Sequence, residues 1–214
     1  MSDDALRQRL LAEESFENET FRDLDLEGAD LSGKDFYRCT FEGCRLQESR
    51  WKNSRLEDCT VRSSDLTRAS LSGTGLRGVR FEGCKLMGVD WSAAAPHPEL
   101  AFQECNLRYA SFVGMSLRQT AFLRCSAQEA NFLDSDLSES DFAGTDLSAA
   151  TVRGCTLAHT DFSSASGLLL EPTRNKVKDT RVAVEAAVLL AHSLGLSVAG
   201  YAPEPAKRGG KRGR

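Results

Sequence analysis

Residues 16–46 read FENETFRDLDLEGADLSGKDFYRCTFEGCRL, and a large apolar side chain returns at every fifth position: Phe16, Phe21, Leu26, Leu31, Phe36, Phe41 and Leu46. The same step continues through Trp51, Leu56, Val61, Leu66, Leu71, Leu76, Phe81, Leu86 and Trp91. It slips by one residue and resumes at Phe102, then Leu107, Phe112, Leu117, Phe122, Ala127, Phe132, Leu137, Phe142, Leu147, Val152, Leu157 and Phe162. All 29 positions are apolar in a chain that is 41% hydrophobic, so chance does not produce the pattern. The residue two places earlier is usually small, as at Ala29, Ser49, Ser54, Ala69, Thr74, Ala110, Thr120, Ala130, Thr145, Ala150 and Thr160. A period of five fits neither the 3.6 of a helix nor the 2.0 of a continuous strand. It suits a chain that turns a corner once per repeat, with one small and one large residue pointing inward.

A second period sets the number of sides. Phe21, Phe41 and Phe81 are related by multiples of 20, as are Leu26, Leu46, Leu66 and Leu86, and after the slip Phe102, Phe122, Phe142 and Phe162. Like side chains stacked on like, four sides to a coil, predict a parallel β-solenoid. Twenty-nine repeats at four to a coil give about seven turns, and coils spaced by about 4.8 Å make a rod on the order of 35 Å long.

Segments such as ADLSG at Ala29–Gly33 and TDLSA at Thr145–Ala149 resemble the pentapeptide-repeat proteins. That resemblance covers residues 14 to 164 and implies an all-β solenoid, a right-handed quadrilateral β-helix with terminal capping helices. The chain divides on this reading into a capping helix (1–13), a first run of coils (14–91), a loop or bulge (92–101) and a second run (102–166). A C-terminal helix and dimerisation segment (167–202) and a disordered basic tail (203–214) complete it.

Several features that invite chemistry are absorbed by the register. Cys39, Cys44, Cys59, Cys84, Cys105, Cys125 and Cys155 all fall in the small inward slot, where a free thiol behaves as a compact hydrophobe. An odd count with no accompanying His argues against a metal site or a disulfide framework. Asp25, Asp30, Asp35, Asp65, Asp90, Asp136, Asp141, Asp146 and Asp161 immediately precede the large core residue, where a short carboxylate can bond corner N–H groups. His97, His159 and His192 are scattered, and no Ser-His-Asp pattern, phosphate loop or dinucleotide fingerprint appears. The expectation is a protein without catalytic residues, metal or cofactor. The N-terminus MSDDALRQRLLAEES is charged throughout, and the apolar run near Ala186–Ala191 is too short to span a bilayer, which predicts a cytoplasmic protein without a membrane partner.

Charge is uneven. Residues 14 to 166 hold 24 acids and 16 bases, net −8, whereas 45 to 85 carry nine bases against five acids. Arg45, Asp65 and Lys85 fall 20 apart and predict a charge ladder up one face. Between Cys125 and Val152 stand six acids and no base: Glu129, Asp134, Asp136, Glu139, Asp141 and Asp146. The slip after Trp91 carries Pro96, His97 and Pro98, two prolines that cannot both serve a central ladder. It predicts a bulge or a projecting loop.

The ends need caps. Residues 2 to 13 predict a short helix with Leu6, Leu10 and Leu11 covering the first coil. Thr180 is placed to cap a helix from Arg181 to Leu194 that stops at Gly195, followed by a strand at Leu196–Val198. That helix is apolar on nearly every side, so Val184, Val188, Leu189, Ala191, Leu194, Leu196 and Val198 are candidates for a homodimer interface. The tail from Pro203 carries five bases and one acid and reads as disordered.

The C-terminal pattern Leu189-Leu190…Leu194-Gly195-Leu196-Ser197-Val198 is similar to the dimerisation segment of the Qnr-type quinolone-resistance group within the family. The resemblance implies a DNA-mimicking dimer that binds DNA gyrase or topoisomerase IV and relieves topoisomerase poisons, without binding nucleic acid itself. The six acids are then the contact surface, with Glu129, Asp134 and Glu139 favoured because they lie two places after the core residue, where the corner does not explain them. The alternative reading is a general protein-interaction scaffold, docking through the loop near Pro96 and the basic middle.

Overall fold

The computed structural model describes residues 3–201, so the tail 203–214 lies outside the described residues. Helix α1 (Asp3–Ala12) leads into a chain of very short strands, each three residues or close to it, in most of which only the central side chain is buried. One face of the coil is a parallel ladder of β1 (Ser15–Glu17), β3 (Asp35–Tyr37), β5 (Arg55–Glu57) and β7 (Gly75–Arg77). The next face stacks β2 (Thr20–Arg22), β4 (Thr40–Glu42), β6 (Thr60–Arg62), β8 (Val79–Glu82), β9 (Leu100–Gln103) and β10 (Ala121–Leu123). Further along that face β11 (Asp161–Phe162) pairs with β12 (Arg181–Val182). The remaining two faces carry single parallel bridges: Asp25, Arg45, Asp65, Lys85, Asn106, Ser126, Asp146 and Ser166 follow one another on one, and Asp90, Ser111, Asn131 and Thr151 on the other. Every parallel pairing steps by 20 residues except across the slip, where Phe81 meets Phe102.

The core is the column pattern read from the sequence. All 29 five-step positions are buried, and the rings of Phe102, Phe122, Phe142 and Phe162 stack at centroid distances of 5.1, 4.7 and 4.7 Å. The small slot is polar for a reason. Ser54, Thr74, Ser135, Ser140, Thr145 and Thr160 each donate a hydroxyl to the backbone carbonyl of the core residue one coil back, for example Thr74 Oγ1 to Trp51 O at 2.7 Å. Five of the cysteines do the same with their thiols, as from Cys44 to Phe21 O at 3.3 Å and from Cys155 to Phe132 O at 2.9 Å, while Cys39 and Cys125 bond the carbonyl two residues back. All seven are buried.

The corners are held in two ways. Eight of the nine predicted aspartates accept a backbone N–H two residues on; Asp35 instead takes a two-pronged bond from Arg55. The residue two places after the core position turns with positive φ except after Trp91 and Phe162, as at Asn18 (55°), Glu48 (55°), Tyr109 (61°) and Asp134 (59°). Glycine suits that backbone region, and at Gly154 a Cβ would lie 1.9 Å from Asp134 Oδ1 on the coil below, so that carboxylate would have to turn away.

Three local expectations are corrected. Leu10 is buried and Leu6 packs against the core, but Leu11 is 37% exposed, because consecutive helical residues cannot share one face. At the other end the solenoid does not stop near 164. Thr156 bridges Lys176 and Phe162 pairs with Val182, making about 8 turns rather than seven. Thr180 is therefore a slot residue bonded to Leu157 O at 2.7 Å, and helix α2 runs from Val184 to Ser193 behind an Ala183 cap. The segment Leu196–Val198 is not a strand; Val198 makes one bridge to Tyr201 across a tight turn. No helix among the described residues is long and apolar enough to cross a membrane.

Candidate protein-interaction surface

The six acids occupy a single coil rather than a single face. Register puts Asp136 in the ladder Ser116–Asp136–Thr156, Asp141 in Ala121–Asp141–Asp161 and Asp146 in Ser126–Asp146–Ser166, three successive sides of the rod. Asp134 lies at the corner after Phe132, on the fourth. They form a belt.

Wrapping brings cations to this belt that the linear sequence keeps apart. Arg118 reaches Glu139 at 2.7 Å and Asp136 at 3.4 Å, and Arg108 lies 3.6 Å from Glu129. Asp134, Asp141 and Asp146 have no ion pair among the described residues. Asp146 accepts instead from Gln128 Nε2 at 2.6 Å and from Ser148. The Ser148 hydroxyl, working against the cost of burial, holds the Asp146 carboxyl below its ordinary range. Burial acts against Asp136 as well, yet the Ser138 hydroxyl and N–H and Arg118 keep its carboxyl low. Three of the six, Glu129, Asp136 and Glu139, are thus paired with arginines, and the other three are not. Glu129, Asp134 and Glu139 share a feature that spacing hides: φ of 58°, 59° and 62°, so the corner does shape those positions.

The same wrapping neutralises the basic middle. Arg45 pairs with Asp25 at 2.9 Å, Arg50 with Asp30 at 3.4 Å, Arg55 with Asp35 at 2.8 Å and Lys85 with Asp65 at 3.5 Å, all across 20 residues. The predicted ladder of Arg45, Asp65 and Lys85 is present, alternating in sign along one face. Such exposed pairs stabilise by only about 0–1 kcal/mol each. Their larger effect is to cancel the basic surplus of one coil against the acidic surplus of the next.

The slip is a compact corner. A short 3-10 turn at Trp91–Ala93, capped by Asp90, starts it, and the ladder is regained when Leu100 pairs with Val79. Pro96 and His97 are exposed, His97 with φ 58°, while Pro98 is half-buried. Ala94, Ala95, Pro96 and Pro98 line a shallow cleft of about 260 Å³ with Val113 and Met115. At the C-terminal end, Ala186 is the residue of α2 that is buried, beside Ala165 and Leu168. Val184, Leu189, Leu194 and Leu196 are exposed, whereas Val188, Ala191 and Val198 are half-buried. Leu169 and Tyr201 add to the apolar surface there.

Among the described residues no group of three or more His, Cys, Asp or Glu is arranged to hold a metal ion. Residues that sequence reasoning missed are Lys34, a cation in a small core slot, and Tyr109, an exposed ring on a corner. Both stand at positions whose neighbours are ordinary, and only the folded register shows what they touch.

Two family descriptions match the chain: "Pentapeptide repeat region" over residues 34–96, and "Pentapeptide repeats (8 copies)" over 102–138, 122–154 and 140–166. No curated protein matches in sequence. Among solved structures, a trypsin-treated variant of QnrB1, described as a plasmid-mediated fluoroquinolone resistance protein, is similar with 26% identity and a TM-score of 0.67, covering 86% of this chain and 90% of that one. Full-length QnrB1 is similar with 23% identity, TM-score 0.55 and coverage of 85% and 90%. HetL, a pentapeptide-repeat protein of heterocyst differentiation from the cyanobacterium Nostoc, has the same fold at 19% identity, TM-score 0.65 and coverage of 85% and 90%. The five-residue period and the four-sided coil that these structures share with the chain, together with the family matches over most of its shaft, make it a member of the pentapeptide-repeat proteins.

Proposed function

We propose that the chain is a non-enzymatic interaction protein of the Qnr type, which binds DNA gyrase or topoisomerase IV and protects it from topoisomerase poisons. The observation that carries this reading is the likeness to QnrB1 over 86% of the chain at 26% identity, in a protein described by its fluoroquinolone resistance. The belt of Glu129, Asp134, Asp136, Glu139, Asp141 and Asp146 supplies negative charge on a rod of the right slenderness to enter a basic DNA-binding groove by complementary potential. Two copies meeting through Val184, Leu189, Leu194 and Leu196, with Val188, Ala191 and Val198 behind them, cover the apolar end and place both belts on one rod on the order of 70 Å long.

The charge density limits how far this is mimicry. Duplex DNA carries one charge per about 1.7 Å, and the paired middle coils of this rod offer nothing comparable. Binding through the belt therefore concentrates near the C-terminal end. The test is gyrase supercoiling with a fluoroquinolone present while the protein is titrated in. Restored supercoiling with loss of the cleaved complex supports the reading, and an unchanged reaction for both topoisomerases refutes it. The neutralised middle coils favour a second reading, an interaction scaffold for another partner. The two separate by salt: belt-driven binding weakens steeply with ionic strength, and docking on apolar surface does not.

A further inference from the structure

Between residues 12 and 168, Tyr109 is the one large apolar side chain that is exposed among the described residues; the others stand at the two ends of the rod. It is 50% exposed and sits at a corner with φ 61°, a conformation disfavoured for a bulky side chain. Gly88 occupies the equivalent corner one coil earlier and Glu129 one coil later, as Gly88 N–H to Arg108 O and Tyr109 N–H to Gln128 O fix the register. Nothing in the coil demands an aromatic ring here.

The ring is nevertheless held. The Arg108 guanidinium lies 5.2 Å from its centroid and donates to the phenol oxygen at 3.2 Å, while its charge is met by Glu129 at 3.6 Å. Asp146, on the same side of the rod, is fixed by Gln128, which in turn accepts from Ser126 at 2.8 Å. An aromatic side chain with little freedom left, beside carboxylates that outnumber the cation, is the composition of an interface anchor. Its ring and the Glu129 and Asp146 carboxylates together suit an arginine or lysine side chain, by cation–π attraction and ion pairing.

We propose that this side of the rod, with Tyr109 at its centre and Glu129 and Asp146 above it, is where the partner's basic protein surface seats. The inference rests on the proposed function and deepens it by choosing one of the four faces. A Tyr109→Gly variant separates binding from folding, because glycine suits the left-handed corner that tyrosine occupies under strain. Affinity for gyrase and topoisomerase IV is measured by calorimetry at low salt, with the thermal midpoint recorded for each variant. Tyr109→Gly is expected to bind about 10-fold or more weakly, with an equal or higher midpoint, and Tyr109→Phe to stay within about 3-fold. Gln119→Gly, a corner with φ 59° on another face, is expected to bind as the parent does. A parent that binds and a Tyr109→Gly variant that binds equally well overturn the choice of face alone. Equal losses for Tyr109→Gly and Gln119→Gly overturn it too. A parent that binds neither enzyme overturns the functional reading and this inference with it.

Discussion

Lys34 Nζ donates to the backbone carbonyl of Leu11 at 3.1 Å and also to that of Glu13, from a slot that is most often Ser, Thr, Cys or Ala. Its stem is buried, with the residue only 6% exposed, and its ammonium ends under the last turn of α1. A cation there meets carbonyls that have no partner inside the helix and lies at the negative end of its dipole. Arg9, bonded to Glu13 and Glu19, and Leu10 in the core hold the same helix from above. Replacing Lys34 by Ala removes the donor and leaves a void, so Lys34→Ala is expected to cost about 2–4 kcal/mol in urea unfolding. Lys34→Met, which keeps the stem, is expected to cost less, about 1–3 kcal/mol. Equal stability of all three proteins would show that α1 does not depend on this contact.

Trp51 and Trp91 occupy the same kind of core position with different neighbours. Trp51 Nε1 donates to Ser49 Oγ in its own slot at 2.9 Å, whereas the slot before Trp91 holds Val89 and Trp91 Nε1 has no partner among the described residues. A buried unpaired donor costs about 1–3 kcal/mol, and a satisfied one contributes about 1 kcal/mol. Trp51→Phe should therefore destabilise more than Trp91→Phe, by about 1 kcal/mol or more, although Trp91 packs flat on Phe112 with rings 3° from parallel. Chemical denaturation of the two single variants checks the order.

The columns were legible because burial at every fifth residue leaves nothing else for the apolar side chains to do. Aspartate at the position before them was legible from turn chemistry alone, and Asp30 and Asp141 behave accordingly. The following corner was not. Glu129 and Glu139 look in sequence like free surface charge, but their positive φ and their pairing to Arg108 and Arg118 arise from contacts across coils. A run of acids without a base in sequence is therefore not a run without a base in space. The end of the solenoid was misread for a related reason: Gly167 and Pro172 break the five-residue pattern, while the hydrogen bonds of the last coil continue past them to Arg181.

The thiols offer a check on the core that depends on no partner. Burial pushes the Cys59 thiol up to about 11, and contact with Cys125 pushes that of Cys105 up to about 12, so neither forms a reactive thiolate at neutral pH. Cys39, Cys44 and Cys155 are raised by burial as well. Contact with Cys105 lowers the Cys125 thiol, but its burial keeps reagent out, so an aromatic disulfide reagent at pH 8 is expected to label none of the seven in the folded chain and all seven in guanidinium. Fast labelling of one or two in the native state would mean that a coil opens locally.

Acid should loosen the rod through its corners. The hydroxyl and then the N–H of Ser163 hold the Asp161 carboxyl below its ordinary range, and the Ser32 hydroxyl does the same for Asp30. A carboxylate whose pKa is lower folded than unfolded stabilises the fold above its unfolded value, near 4, and that contribution is lost as pH falls through the folded value. The urea midpoint is therefore expected to stay level from about pH 8 to pH 5 and to drop below about pH 4. These carboxylates are exposed, so each contributes little alone, and the drop should be shallow and spread over the coils. Removing the bonded hydroxyls at two corners, in Ser138→Ala with Ser148→Ala, should reduce the acid-dependent part of the loss while lowering stability at pH 7. If the double variant keeps the full acid dependence, the corner hydroxyls are not its source.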